Sequence, residues 1–319
     1  MFQNGAGKRK IDKMSQKPKI IVICGPTGIG KTATAIALAE IFNGEIVGAD
    51  SMQIYRHMDI GTAKPTSEEQ SRVRHHMIDI VDPDEHFDAK MFAKMAREKI
   101  AQLHSRNVLP IVAGGTGFYV KALLYGLFHS DPVNMTVRNR LKQEAAEKGN
   151  DFLFQRLSRN DPQAAEKLHP NDIYRIIRAI EVYEATGKTL SEYHQSHQFG
   201  DNPFDALKIG LGMDRQLLYE RINRRVDLML GAGLLEEVGS LLDRGYSASL
   251  KSMQSIGYRH MSDFIQGRLS WEEAVRTLGR DTRRYAKRQF TWFRADSEVI
   301  WTEPSQIEAI SGLVRRHLD

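Results

Sequence analysis

The chain has 319 residues, 41% of them hydrophobic, with a formal net charge of +5 at neutral pH. That length can bury a full α/β core and carry a second, smaller domain, while no apolar run reaches the length of a membrane span. The single cysteine, Cys24, excludes an internal disulfide framework, which fits a reducing compartment and an expected cytoplasmic location.

The positive charge is local. Residues 1–19 hold Lys8, Arg9, Lys10, Lys13, Lys17 and Lys19 against Asp12 alone, so the remainder is neutral overall. Residues 1–18 read as a basic, disordered leader without the apolar stretch of a signal peptide, and Met14 is a candidate natural start. A nucleic-acid surface therefore has to come from local patches, not from net charge.

In chain order, Ile20-Ile21-Val22-Ile23-Cys24 reads as a buried parallel strand and residues 32–42 as an Ala-rich helix. Between them Gly25-Pro26-Thr27-Gly28-Ile29-Gly30-Lys31-Thr32 fits G-x-x-x-x-G-K-[ST] in full. Glycines let main-chain N–H groups curl round an anion, and the helix N-terminus adds partial positive charge. Lys31 supplies a mobile cation, and the Thr32 hydroxyl suits Mg²⁺ against a phosphate. By motif this is an ATP site, yet the pattern specifies only a phosphate ester or diphosphate.

Residues 45–50 form a short second strand ending in Asp50-Ser51. That places Asp50 at the carboxyl edge of the sheet, as a Mg²⁺ ligand, a ribose contact or a general base. Residues 51–65 are chemically mixed and suit a functional surface loop. Residues 77–81 are a further candidate strand, and Asp88 a candidate N-cap for a helix running to about His104. Residues 108–113 are a buried strand. The Gly114-Gly115-Thr116-Gly117 turn after it is either a second ligand approach or a tight strand-to-helix turn, followed by an apolar helix over 118–127.

Strand patterns then disappear. Residues 131–205 read as a helical insertion, in which Arg175 and Arg178 on an amphipathic helix are solvated charges or anion contacts. A strand over 207–211 returns to the core. The helix starting near Asp214 carries Arg221 and Arg225 on one face, spaced to clamp a diphosphate, with Arg224 beside them. Gly231 and Gly233 break it, and residues 234–242 resume. In the helix over 271–294, Trp271, Val275, Leu278, Thr282, Tyr285 and residues 289–293 form a mainly apolar stripe. Seven cations, including Arg284, Lys287 and Arg288, face only Asp281 between residues 274 and 294, a credible surface for a phosphate backbone.

These motifs, in this order, resemble the bacterial tRNA dimethylallyltransferases, also called tRNA isopentenyltransferases. The resemblance rests on the phosphate loop, Asp50-Ser51-Met52-Gln53 with Tyr55-Arg56 and residues 58–65, and the 114–117 turn. His169-Pro170-Asn171-Asp172, Ile256-Gly257-Tyr258, and Ala286-Lys287-Arg288-Gln289 with Thr291-Trp292 complete it. It runs from about Lys19 to Trp301, and residues 1–18 have no counterpart. It implies an α/β, P-loop NTPase-like core with a parallel sheet over 19–130 and 206–319, plus the mostly helical, tRNA-binding insertion over 131–205. The implied activity is transfer of a dimethylallyl group from dimethylallyl diphosphate to N6 of adenine-37 in the anticodon stem-loop of tRNA.

By the same resemblance, residues 25–32 with Arg221 and Arg225 hold the diphosphate with Mg²⁺ on Thr32. Thr27 and Lys31 assist the leaving group, and Asp50 is the general base. Asp50, Ser51, Met52, Gln53 and Thr116 contact the flipped base and its neighbours, while Arg175, Arg178, Arg284, Lys287 and Arg288 grip the tRNA backbone. A soluble monomer with no membrane partner is expected.

Overall fold

The computed structural model describes residues 17–127, 135–197 and 201–319. The basic leader, up to residue 16, lies outside the described residues, as does the expected start of the insertion at Asp131. The chain divides into two compact units, residues 1–124 with 203–319, and residues 125–202.

The first unit begins with Lys19–Cys24 (β1), Lys31–Phe42 (α1), Gly44–Gly48 (β2), Ser67–Arg72 (α2) and His75–His76 (β3). Ala89–Ser105 (α3), Leu109–Gly114 (β4) and Gly117–Tyr125 (α4) follow. The second unit holds Met135–Lys148 (α5), Asn150–Asn160 (α6), Pro162–Lys167 (α7), Ile173–Thr186 (α8) and Leu190–His197 (α9). The chain returns with Asp205–Leu211 (β5), Arg215–Gly231 (α10), Leu234–Asp243 (α11), Tyr258–Ile265 (α12), Trp271–Arg294 (α13), Ile300–Thr302 (β6) and Ile307–Leu318 (α14). No helix among the described residues is long and apolar enough to cross a membrane.

In the first unit the six described strands form one parallel sheet, ordered β3-β2-β4-β1-β5-β6. Ile20 to Ile23 are fully buried because helices cover both faces of a parallel sheet, so its central strand reads as an unbroken apolar run. Connections leave β1 toward β2 and β3 on one side and toward β5 and β6 on the other. The carboxyl ends of β1 and β4 therefore meet at the switch point, where open α/β sheets hold ligands. The second unit packs Leu141, Leu153, Leu157, Ile176 and Ile180 into a core of its own. Its buried Glu181 accepts from Arg138 at 2.8 Å and pairs with Arg178 at 3.3 Å.

Two sequence expectations shift, and one strand is unforeseen. Residues 77–81 are not a strand: Met77 and Asp79 sit at φ 64° and 52°, a left-handed backbone that no ladder accommodates, and only Val81 bridges, to Tyr55. The third strand is instead His75–His76. At the C-terminal end, β6 pairs with β5 through Ile209 and Ile300, and a three-residue strand is too short to show a period. Trp271, assigned to the apolar stripe, is 38% exposed at the start of α13, edge-on to Phe264.

Gly114 shows how closely β4 approaches the chain leaving β2. A Cβ there would lie 2.0 Å from the Ala49 carbonyl oxygen. Gly114→Ala is therefore expected to cost about 1–3 kcal/mol through backbone overpacking, read as a lower urea midpoint. An unchanged midpoint would mean the two segments separate freely.

Candidate active site

The loop after β1 turns into α1 within six residues because Gly28 and Gly30 take φ of 79° and 111°, which side-chain-bearing residues rarely adopt. Gly30 is the N-cap, so the helix starts at Lys31, one residue earlier than its composition suggests. The Thr27 N–H donates to Gln289 Oε1 at 2.8 Å, and Gln289 Nε2 donates to the Gly115 carbonyl at 2.8 Å. One side chain of α13, 5% exposed, thus joins the glycine turns that follow β1 and β4. Read from sequence, Gln289 belongs to an apolar stripe and to a motif of the resemblance, with no role of its own. The available signal is its chemistry, since a buried amide requires partners.

Cations gather around this loop. Lys31 donates to the Pro26 carbonyl at 2.8 Å, and burial lowers its pKa from 10.5 to about 8, with Asp50 opposing the shift and Arg225 adding to it. Arg225 donates to Thr27 Oγ1 at 3.2 Å, and burial lowers its pKa too, against the pull of Asp50. Arg221 and Arg224 border the same cavity, of about 630 Å³, with Lys31, Thr32 and Asp50.

Asp50 lies two residues beyond β2. Its Oδ1 accepts the N–H groups of Met52 at 2.8 Å and Gln53 at 3.4 Å, which leaves Oδ2 without a protein partner among the described residues. The Ser51 N–H donates to Thr116 Oγ1 at 3.0 Å, and that hydroxyl donates to Ser51 Oγ at 3.3 Å. Gln53 turns its amide onto the carbonyls of Thr62 at 3.2 Å and Ala63 at 3.0 Å, so its Nε2 braces the loop.

A second cavity, of about 310 Å³, adjoins the first, and Thr27, Asp50, Thr62, Arg225 and Tyr285 border both. Its further wall is apolar, with Ile222, Val226, Met229, Ile256 and Leu278, while Met52 and Arg288 stand at its rim. The crevice thus offers an anion side, an apolar side and one carboxylate at their junction.

The residues expected to grip RNA are dispersed. Arg284, Lys287 and Arg288 are exposed along α13, where Arg284 stands 3.8 Å from Asp281 and Arg288 lies over the Tyr285 ring. Asp281 also takes Arg259, Arg280 and His260, so part of the helix's positive charge is neutralised within the fold. Arg175 and Arg178 belong to the second unit, beside Asp172 at 3.5 Å and Glu181 at 3.3 Å respectively.

Residues 53–296 match the family described as IPP transferase. A tRNA dimethylallyltransferase of Desulfosudis oleivorans is 56% identical over 303 residues, covering 95% of this chain and 96% of that relative. Among solved structures, the full-length tRNA isopentenylpyrophosphate transferase of Bacillus halodurans aligns with a TM-score of 0.72 at 42% identity, over 95% of this chain and 97% of that one. A eukaryotic dimethylallyltransferase, described as acting on tRNA, aligns with a TM-score of 0.77 at 28% identity, over 94% and 77%. Fold and crevice together define a P-loop-like α/β enzyme. The chain belongs to the IPP transferase family of enzymes.

The lowered pKa of Lys31 would make anion binding at this loop pH-dependent. Its ammonium is charged at pH 7 and discharges as pH rises through about 8, so affinity for an unreactive prenyl thiolodiphosphate should fall above that pH, approaching about tenfold per unit. Lys31→Arg should hold its affinity to pH 9.5 or about that, because a guanidinium stays charged. Calorimetric titration reads both, and a flat wild-type profile would remove Lys31 from the anion site.

Proposed function

We propose that the enzyme transfers the dimethylallyl group of dimethylallyl diphosphate to N6 of adenine-37 in tRNA, releasing diphosphate. The observation that carries this reading is the junction. One carboxylate with an open oxygen stands where an anion side of lysine and arginines meets an apolar side. A diphosphate on residues 25–32 would direct its short hydrocarbon tail away from the cations, beside Ile222 and Val226.

Adenine N6 is a weak nucleophile because its lone pair is delocalised into the ring. The reaction therefore needs help at both ends. The C1–O bond breaks and its electron pair leaves with the diphosphate, where Lys31, Arg221, Arg225 and the loop N–H groups offset the growing charge. The N6–C1 bond forms while the open Asp50 Oδ2 takes the N6 proton. Arg225 holds Thr27 Oγ1 toward the leaving oxygens. Ser51, Met52 and Thr116, at the strand ends, are suited to contact the extruded base, and the α13 cations to contact the tRNA backbone.

The Thr32 hydroxyl has no protein hydrogen-bond partner among the described residues and opens on the same cavity. It suits Mg²⁺, a hard ion that keeps several waters and takes substrate phosphate oxygens. No cluster of three His, Cys, Asp or Glu side chains is gathered among the described residues, and such a site needs none. The ion would add positive charge at the diphosphate.

Incubation with labelled dimethylallyl diphosphate, with and without unmodified tRNA, tests the reading. Label should enter the tRNA, whereas tRNA-stimulated ATP hydrolysis without prenyl transfer would overturn it. Asp50→Ala should lower turnover by about 10²–10⁴-fold with little change in donor affinity. Near-normal turnover would remove Asp50 as the base.

A further inference from the structure

One carboxylate in the first unit is bound in an unusual way. Glu237, half-buried in the first turn of α11, accepts three consecutive main-chain N–H groups. Its Oε2 takes those of Asp59 at 2.9 Å and Ile60 at 2.8 Å, and its Oε1 takes that of Gly61 at 3.1 Å. Oε1 also accepts the Tyr258 hydroxyl at 2.6 Å. No lysine or arginine pairs with Glu237 among the described residues, so its charge rests on four donors and the positive end of α11. Successive N–H groups converging in this way form an anion nest, filled here by a carboxylate of the same chain.

The nest belongs to the long loop after β2, and its bonds lead back to Asp50. Gly61 packs so closely on the fully buried Tyr258 that an added Cβ would sit 2.4 Å from the ring. The next two residues, Thr62 and Ala63, hold the Gln53 side-chain amide through their carbonyls. The N–H groups of Gln53 and its neighbour Met52 in turn hold Asp50 Oδ1. Each link is a hydrogen bond or a single peptide step. Gly61, Tyr258 and Asp50 all line the smaller cavity.

We propose that Glu237 is a positioning residue for Asp50. By clamping residues 59–61 it fixes the loop whose other end orients the Asp50 carboxylate, leaving Oδ2 directed at the reacting proton. This rests on the reading of Asp50 as the general base. Glu237 is not among the residues that border the two cavities, so its loss should impair the chemical step and leave donor binding intact.

A double-mutant cycle tests this. Glu237→Gln keeps the shape but replaces one acceptor oxygen with an NH₂ group that faces N–H donors. Its kcat should fall by about 10²-fold, the scale for a misplaced reacting group, while donor-analogue affinity stays within about threefold. Asp50→Ala/Glu237→Gln should be no slower than Asp50→Ala alone, because a group acting through Asp50 has nothing left to act on. Tyr258→Phe, which removes one of the four donors and little volume, should show a smaller loss with the same non-additivity. It carries the test if Glu237→Gln does not fold. Multiplicative losses, an unchanged kcat, or a parallel loss of donor affinity would overturn the proposal. Asp50→Ala alone separates the two ideas: a fast Asp50→Ala removes the base, whereas a slow one with multiplicative losses removes only the role of Glu237.

Discussion

The crevice depends on one buried amide. Gln289 donates to the Gly115 carbonyl and accepts from the Thr27 N–H, so α13 holds together two glycine turns that follow neighbouring strands. Neither backbone group has another partner given by the strand ladders, and leaving a buried group unsatisfied costs about 1–3 kcal/mol. The amide is suited to both tasks because it carries a donor and an acceptor on one rigid plane. A carboxylate there would have no donor for the carbonyl, and a lysine no acceptor for the N–H.

With the turns fixed, charge does the rest. Lys31 and Arg225 both lose some of their preference for protons through burial, and Asp50 opposes this at both. Three arginines of α10 and Lys31 border a cavity that also contains Asp50 and Glu69, so the four cations exceed the two carboxylates beside them. Such an excess is costly for an empty crevice and favourable for one that takes up an anion. The adjoining apolar wall of Ile222, Val226 and Leu278 limits what else that anion can carry.

Local patterns made much of this legible in the sequence. The strand, phosphate loop and helix of residues 20–42 are contiguous, and Asp88 does cap α3, accepting the N–H groups of Lys90 and Met91. Asp50 at the carboxyl edge of the sheet follows from the end of a strand pattern in a parallel sheet, and it shares a cavity with the loop. What stayed hidden depends on contacts remote in sequence. Glu237 reaches Asp59 across 178 positions, and Gln289 reaches Thr27 across 262. Lys64 appears in sequence as one more loop cation, yet its side chain is buried between Asp59 and Asp79. The stretch 77–81 failed for a different reason: it is apolar except at Asp79, as a buried strand could be, while its backbone turns left-handed at Met77 and Asp79. Residues 300–302 join the sheet because β5 offers them an edge, which no property of three residues announces.

The central claim is spatial: donor diphosphate on the phosphate loop, hydrocarbon on the apolar side, and Asp50 beside the carbon between them. The most direct measurement is a crystal structure with the thiolo analogue of dimethylallyl diphosphate, whose C–S bond resists cleavage. The account predicts the diphosphate against residues 25–32 with Arg221 and Arg225, and the tail beside Ile222 and Val226. The Asp50 carboxylate should then face C1 across a space that admits an adenine amino group. A diphosphate seated away from the phosphate loop, or a C1 carbon remote from Asp50, would contradict it.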